Sequence, residues 1–427
     1  MPAAIISHLH HSVAEGMTRG GLPAIVSPRE GRPRDRFDEH PFARAGGGRV
    51  RICLVLETGG GGAGRHVLDL ARELPLRGHA VAVIYSAMRA EARFLLELLS
   101  LPVTRVEVPM TRNPGPQDVM AACRLAKALR QHGPFDIVHS HSSKAGALAR
   151  LVPTGTACRI YTPHAFRALD PEASRLSKAV LTAIERMLGQ ARTDALIAVS
   201  QGELAFARAQ RIAPGRCHLI RNGVIHPRSV DRAAVRRELR FAEDQLVVGF
   251  VGRLSYQKAP ERFVEAMVQA MHARDDVHAV MIGQGAYESM VANAIERSGL
   301  AGRFRLLGGA DAQNYIGAFD VLMMSSRYEG LSYVMLESLA AGVPIISTDV
   351  AGAHDVIVES GREGLIVGGA DLINNLAGAV LGLAEDRERL GQMKEAARAR
   401  GAVLNGQRMI DETEALYRRV AAEKRCG

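Results

Sequence analysis

The sequence predicts an α/β protein built from two Rossmann-like domains, each a doubly wound parallel sheet. Three observations carry this expectation. A chain of 427 residues with 47% hydrophobic side chains exceeds what one ordinary core encloses. From Val50 onward, short apolar runs alternate with stretches of helical periodicity, and strands joined through helices run parallel. The alternation then restarts at Leu246, after the turn signal Asn222-Gly223. Residues 1–48 are expected to be a mostly disordered extension. Residues 49–228 are expected to form the first domain, 229–403 the second, and 404–427 a last helix.

Residues 1–48 combine Gly46-Gly47-Gly48 with a Pro/Arg-rich patch from Pro28 to Arg36 and lack sustained periodicity. His8, His10 and His11 there have no partners in pattern and are not read as metal ligands. Val50 to Leu56 is an apolar strand, Gly59 to Gly64 a glycine loop, and Arg65 to Leu76 a helix. The loop satisfies Gly-x-Gly-x-x-Gly, yet the next strand, Ala80 to Tyr85, ends without the ribose-binding acid of a dinucleotide site. Strands near Val103–Val108, Phe135–His141 and Ala195–Val199, with a helix from Gln117 to Gln131, continue the pattern. Ligands of such sheets gather at the carboxyl ends of strands, which marks His139, His141, Ser142, Thr162, His164 and Ser200. Ala173 to Arg192 is amphipathic and basic, with Leu176, Val180, Leu181, Ile184 and Leu188 on one side, and is expected to pack on its own sheet. In the second half, strands are expected at Leu246–Val251, Ala279–Ile282, Phe304–Leu307, Asp320–Met324, Val343–Ser347 and Gly364–Val367.

The net charge is +9, but aromatic content is 4% and Trp is absent, so stacking on nucleobases is poorly provided for and no nucleic-acid partner is expected. The charge is one-sided. Basic residues exceed acidic ones by 12 over residues 49–228, while 229–427 carries an excess of 4 acidic residues. An anionic partner on the first half, such as a membrane surface, is the expectation. The five cysteines are scattered without a Cys-x-x-Cys pair, which reads as reduced and cytoplasmic. No run approaches the roughly 18 apolar residues of a spanning helix.

The densest chemistry lies in the stretch Met324 to Ile346. A strand leads through Glu329-Gly330-Leu331 into a helix that Ser332 is placed to cap, and the free N–H groups of its first turn suit a phosphate. Glu329 stands at the mouth of that anion site. Glu337, two turns on, is placed to accept from neighbouring sugar hydroxyls. At the exit of Leu246–Val251, Gly252 permits close backbone approach, while Arg253 and Lys258 offer a fork and a point charge for a diphosphate.

Glu329 and Glu337, within EGLSYVMLESLAAGVPIISTDVAG, resemble the Glu-x7-Glu signature of family 4 retaining glycosyltransferases, with Ser332 where the family usually has Pro or a small residue. HSHSSKAGALAR, YTPHAF, VGRL, the Asn-Gly-Val at Asn222 and a GGxxxxH arrangement in the first glycine loop are similar to family counterparts. The resemblance runs from about Val50 to the C-terminus. It implies the GT-B fold, two domains facing across a cleft, with the last helix crossing back to the first. It implies that Glu329 contacts the donor sugar, Glu337 the ribose, and His164 the neighbourhood of the sugar. It also implies a diphosphate site made by Gly61, Gly62, Gly252, Arg253, Lys258, Gly330, Leu331 and Ser332.

No Asp-x-Asp and no Cys/His metal spacing occurs, so no cofactor or metal is expected, and Arg253, Lys258 and helix N-termini must meet the leaving diphosphate. His164, Glu329, Arg253 and Lys258 are the expected catalytic group. The expected activity is metal-independent, retaining transfer of a hexose from a nucleotide sugar to a saccharide acceptor, lipid-linked, at the inner face of the cell membrane. A nucleotide-sugar 2-epimerase and a non-catalytic nucleotide-sugar-binding scaffold are the alternatives on this architecture.

Overall fold

The structure is a computed structural model describing residues 48–111, 113–170, 173–225 and 227–426. The expected extension, with its histidines, lies outside the described residues. The first sheet comprises β1 (Arg51–Leu56), β2 (Ala80–Tyr85), β3 (Thr104–Glu107), β4 (Ile137–His141), β5 (Cys158–Thr162), β6 (Ala195–Ala198) and β7 (Cys217–Leu219). Its order is β3-β2-β1-β4-β5-β6-β7, and every pairing is parallel. The second sheet comprises β8 (Leu246–Val251), β9 (Val277–Ile282), β10 (Phe304–Leu306), β11 (Val321–Met324), β12 (Ile345–Thr348) and β13 (Gly364–Val367), in the order β10-β9-β8-β11-β12-β13 and again parallel.

Strand order reverses between β1 and β4 in one sheet and between β8 and β11 in the other. A crevice opens at the carboxyl end of such a reversal, because successive crossovers diverge to opposite faces there. The polar exits of those four strands therefore mark where ligands belong. They are Glu57 to Gly60, His141-Ser142, Gly252 to Lys258, and Ser325 to Gly330.

The apolar runs read as continuous because both faces of the strands are covered. Leu246–Val251 is buried at every position, as parallel strands between helix layers require. The helix after β1 starts inside the glycine run, at Gly61 rather than Arg65, and extends to Leu76. Val67, Leu68, Leu70, Ala71 and Leu74 on its inner face join Ile52, Leu54 and Leu56 of β1 in the first core. That packing outweighs the helix-forming deficit of roughly 1 kcal/mol per glycine.

The last helix, Gly406–Cys426, belongs to the first core. Met409, Ile410, Leu416, Tyr417, Val420 and Ala421 are buried against it. Arg77 and His79 bond the Glu414 carboxylate at 2.6 and 3.0 Å and fix its register. The chain thus crosses between the lobes twice, at Asn222–Val224 and again at Asn405–Gly406, and the crossings lie on each other. The Gly406 N–H donates to the Val224 carbonyl at 3.0 Å. A Cβ on Gly223 would stand 2.3 Å from the Asn405 carbonyl, so the close approach excludes any side chain there.

The amphipathic helix Arg175–Arg192 departs from expectation. It packs on the sheet with Leu188, Gly189 and a buried Glu185, while Leu176, Val180, Ile184 and Met187 point outward at 40–75% exposure. The reason is ionic. Glu185 accepts from Arg150 at 2.8 Å and from the Tyr161 hydroxyl at 2.9 Å. Removing one partner from a buried pair leaves an uncompensated charge, so the inward face is set by that pair and the apolar residues are left outside.

Candidate functional site

The second lobe contributes two strand exits. After β8, Gly252 has φ +154° and lies against the stem of Lys258. Lys258 reaches across to the β11 exit, where its Nζ is 2.6 Å from Glu329 Oε1 and the Ser326 hydroxyl donates to the same oxygen at 2.9 Å. The two side chains are only 16% and 8% exposed. Arg253 is exposed, and among the described residues its guanidinium has no ion pair. The helix Tyr333–Ala340 begins at Ser332, whose backbone is extended as an N-cap requires, but its hydroxyl accepts no capping bond. This corrects the expected cap. The side chain is buried, and the first-turn N–H groups are left without that acceptor.

Glu337 is not the solvated acceptor its helix position suggests. Its carboxylate takes a 2.7 Å bond from the Gln313 amide. Burial raises its pKa, opposed by that bond and by the charges of Arg65 and Arg93 from the facing lobe. Across the cleft Asp69 is pushed up to about 7 by burial, against Arg65 and Arg72.

The first lobe contributes histidines. His139 lies inside β4 rather than at its exit. It is fully buried between the Tyr417 hydroxyl and Thr162 Oγ1, which ties the sheet to the last helix. His141 closes β4, and its Nδ1 is 3.1 Å from His164 Nε2. His164 and Ala165 both have positive φ, +52° and +88°, a conformation that non-glycine residues hold only when their surroundings impose it. Glu203 imposes it here. One carboxylate oxygen accepts from the Ala165 N–H and the other from the Val199 N–H at 3.0 Å. Burial drives the Glu203 pKa up to about 7 against those two donors. Glu203 lies in the helix Gln201–Ala209, which Ser200 caps by accepting from the Glu203 N–H at 3.1 Å.

The two halves meet at this point. Gly330 packs on the Ala165 backbone and the Glu203 carboxylate. Asn222 links the lobes, with its amide donating to the Leu331 carbonyl at 3.1 Å and its oxygen 3.1 Å from His66 Nδ1. The Tyr333 hydroxyl stands 3.4 Å from the same nitrogen, and Gly62 faces the Tyr333 ring closely enough that a Cβ would sit 3.3 Å from it. Arg93 pairs with Asp311 across the opening, and Arg228, just past the crossing, holds the same carboxylate. Gly61, expected to face a diphosphate, has its N–H turned to Glu91 Oε1 at 3.2 Å.

Lys258, Glu329, Gly330 and His164 are thus brought into one site, with Arg253 on its open side. His66, Glu203, Asn222 and Gln313 belong to it as well. Sequence reasoning singled out none of these four as site residues. His66 ends the GGxxxxH arrangement and Asn222 opens the Asn-Gly-Val turn, so both carried a signal. Glu203 and Gln313 sit in ordinary helical or loop sequence and carried none.

The comparisons with known proteins agree with this fold. A family profile described as Glycosyltransferase Family 4 matches residues 60–227, and one described as Glycosyl transferases group 1 matches 231–400. The chain is 31% identical to a lipopolysaccharide core biosynthesis mannosyltransferase of Rhizobium meliloti, over 43% of this chain and 53% of that protein. It is 26% identical to a UDP-Gal:alpha-D-GlcNAc-diphosphoundecaprenol alpha-1,3-galactosyltransferase of Escherichia coli, over 70% of this chain and 79% of that protein. Among solved structures it superposes on Anabaena HepE in complex with UDP and glucose with a TM-score of 0.73, at 20% identity over 86% of this chain and 99% of the other. Two facing parallel-sheet lobes, a final helix returning to the first, and both profiles laid end to end place the chain in glycosyltransferase family 4, with the GT-B fold.

Proposed function

We propose that this glycosyltransferase moves a hexose, with retention of anomeric configuration and without a metal, from a nucleotide sugar to a saccharide carried on a lipid, in cell-surface polysaccharide synthesis at the cytoplasmic face of the membrane. One observation carries the reading. The Lys258–Glu329 pair at the β8 and β11 exits meets the His164 turn through Gly330, which gathers a cation for phosphate, an acceptor for sugar hydroxyls and an imidazole at one point. Developing charge on the leaving diphosphate is met by Lys258, Arg253 and the helix starting at Tyr333. Glu329, held by Lys258 and Ser326, binds and orients and is not assigned as a nucleophile. The departing phosphate oxygen takes the acceptor's proton as the new glycosidic bond forms on the face the leaving group vacates. The lipid-linked acceptor is supported by the galactosyltransferase relative, which is named for a diphosphoundecaprenol-linked sugar, and by the exposed apolar stripe Leu176, Val180 and Ile184 on the basic lobe.

The test is a thermal-shift panel of uridine and guanosine nucleotide sugars, since a ligand of the folded state raises apparent stability by mass action. NMR of the product made from the stabilising donor and a lipid-diphosphate-linked sugar follows. A retained anomer in the presence of a chelator is expected. An inverted anomer, or activity abolished by the chelator and restored by metal, refutes the proposal.

A further inference from the structure

Three histidines far apart in sequence converge beside the sugar position. His66 comes from the helix after β1, His141 from the end of β4 and His164 from the turn after β5, and one ring nitrogen of each lies within 4.8 Å of the others. Nε2 of His66 and Nε2 of His141 are both buried without a hydrogen-bond partner among the described residues. An orphaned buried imidazole nitrogen is costly unless something fills it.

The surrounding bonds orient these nitrogens as ligands. Asn222 Oδ1 faces His66 Nδ1 at 3.1 Å and accepts a proton there, which leaves the Nε2 lone pair free. A metal-binding imidazole is oriented in the same way by an acceptor on its other nitrogen. His141 Nδ1 and His164 Nε2 face each other at 3.1 Å and must share one proton. A cation replaces that hydrogen bond, and the proton stays on the imidazole pair by moving to a ring nitrogen turned away from the ion.

We propose that His66, His141 and His164 form a binding site for one borderline divalent d-block cation, zinc above all, and that the bound ion blocks the donor-sugar position. The cluster is all nitrogen, which suits Zn²⁺, Co²⁺, Ni²⁺ or Cu²⁺ and not the oxygen-seeking Mg²⁺ or Ca²⁺. Zinc–nitrogen bonds of about 2.0–2.1 Å place tetrahedral ligand nitrogens about 3.3 Å apart, so the site closes by modest ring rotation. The fourth position is left to water. The ion is an inhibitor here, not a cofactor, because it engages His164. The binding half of the inference stands apart from the proposed reaction, and the inhibition half rests on it.

The experiment is a titration of metal-stripped full-length protein with Co²⁺, read from the visible d–d bands of a four-coordinate ion, followed by displacement with Zn²⁺. One ion per chain is expected, with Mg²⁺ unable to compete. His66→Ala and His141→Ala should abolish the saturable signal, and Asn222→Ala should weaken it roughly 10- to 100-fold. His354→Ala, an exposed histidine on the other lobe, should leave it intact. His66→Gln and His141→Asn, checked by melting, replace any alanine variant that does not fold. No four-coordinate spectrum in the wild type, or a spectrum that survives loss of both His66 and His141, overturns the site. Zinc inhibition that is competitive with the donor supports the blocking role. Zinc bound without inhibition, or inhibition that the donor does not relieve, overturns that role and leaves the site.

Discussion

Lys258→Ala should damage both folding and turnover, and the second substitution that partly repairs folding should not repair turnover. Lys258 and Glu329 are 2.6 Å apart with little exposure. Removing the ammonium leaves a mostly buried carboxylate with the Ser326 hydroxyl. Breaking such a pair from one side costs about 3 kcal/mol, the low end of the range because a small part of each side chain still reaches water. Neutralising the stranded partner in Lys258→Ala/Glu329→Gln should recover a good part of that loss. Catalysis follows a different rule. A preorganised cation facing developing diphosphate charge contributes on the order of 2–4 kcal/mol, so kcat should fall roughly 30- to 900-fold in Lys258→Ala and stay low in the double variant. Arg253→Ala is the contrast. Exposed and without an ion pair among the described residues, it should leave stability within about 0.5 kcal/mol of wild type while lowering kcat comparably. Urea unfolding with steady-state kinetics on the four proteins makes the comparison. A Lys258→Ala enzyme with wild-type kcat, or a double variant no more stable than the single, would refute the reasoning.

Glu337→Gln should raise donor KM with little change in kcat, because ribose hydroxyls are bound alike before and during bond cleavage; a fall in kcat alone contradicts this. Leu176→Ser/Val180→Ser/Ile184→Ser should weaken binding to anionic vesicles without lowering the melting temperature, since all three side chains are outward, and wild-type binding should decline with salt; unchanged vesicle binding in the triple variant counts against a lipid-facing helix. Partial burial of Glu414 is outweighed by hydrogen bonds from Arg77, His79 and Arg418, which hold its carboxyl at about 2. A depressed carboxyl stabilises the fold above its unfolded value and loses that contribution as pH falls from about 4.5 to 2. Acid unfolding of wild type should therefore show a component in that window that Glu414→Gln lacks, reduced by solvent screening of the partly exposed group; identical acid profiles contradict it.

The architecture was legible because the central strands of both sheets are buried on both faces, so β1 and β8 appear as nearly unbroken apolar runs, and Gly364–Val367 is found where the pattern puts it. Boundaries failed where tertiary packing overrode propensity. Gly61 to Gly64 reads as loop and is helix, where Gly62 and Gly64 lie so close to Tyr333 and Phe94 that an added Cβ would stand 3.3 Å from each ring. The outward stripe of the helix Arg175–Arg192 was misread because periodicity finds an apolar face but not which way it turns, and Glu185 decided that. At the site, residues in strand exits were legible from the fold alone. Glu203 and Gln313 were not, because their roles consist of bonds to Ala165 and Glu337, 38 and 24 residues away. The three-histidine cluster was invisible to spacing rules for the same reason.

The return of the final helix also sets an order on synthesis. Met409, Ile410, Leu416 and Tyr417 are built into the core around β1, each contributing roughly 1.5–3 kcal/mol when fully buried. The first lobe therefore cannot complete itself when its own sheet leaves the ribosome. It waits for some two hundred further residues, about 10–40 s at bacterial rates, with the groove for that helix open. During that wait the second lobe, whose core has no such debt to distant sequence, is free to fold first. A purified chain ending at Asn405 should have a protease-sensitive first lobe beside a resistant second one, and resistance of both would show that the helix only decorates a core already formed.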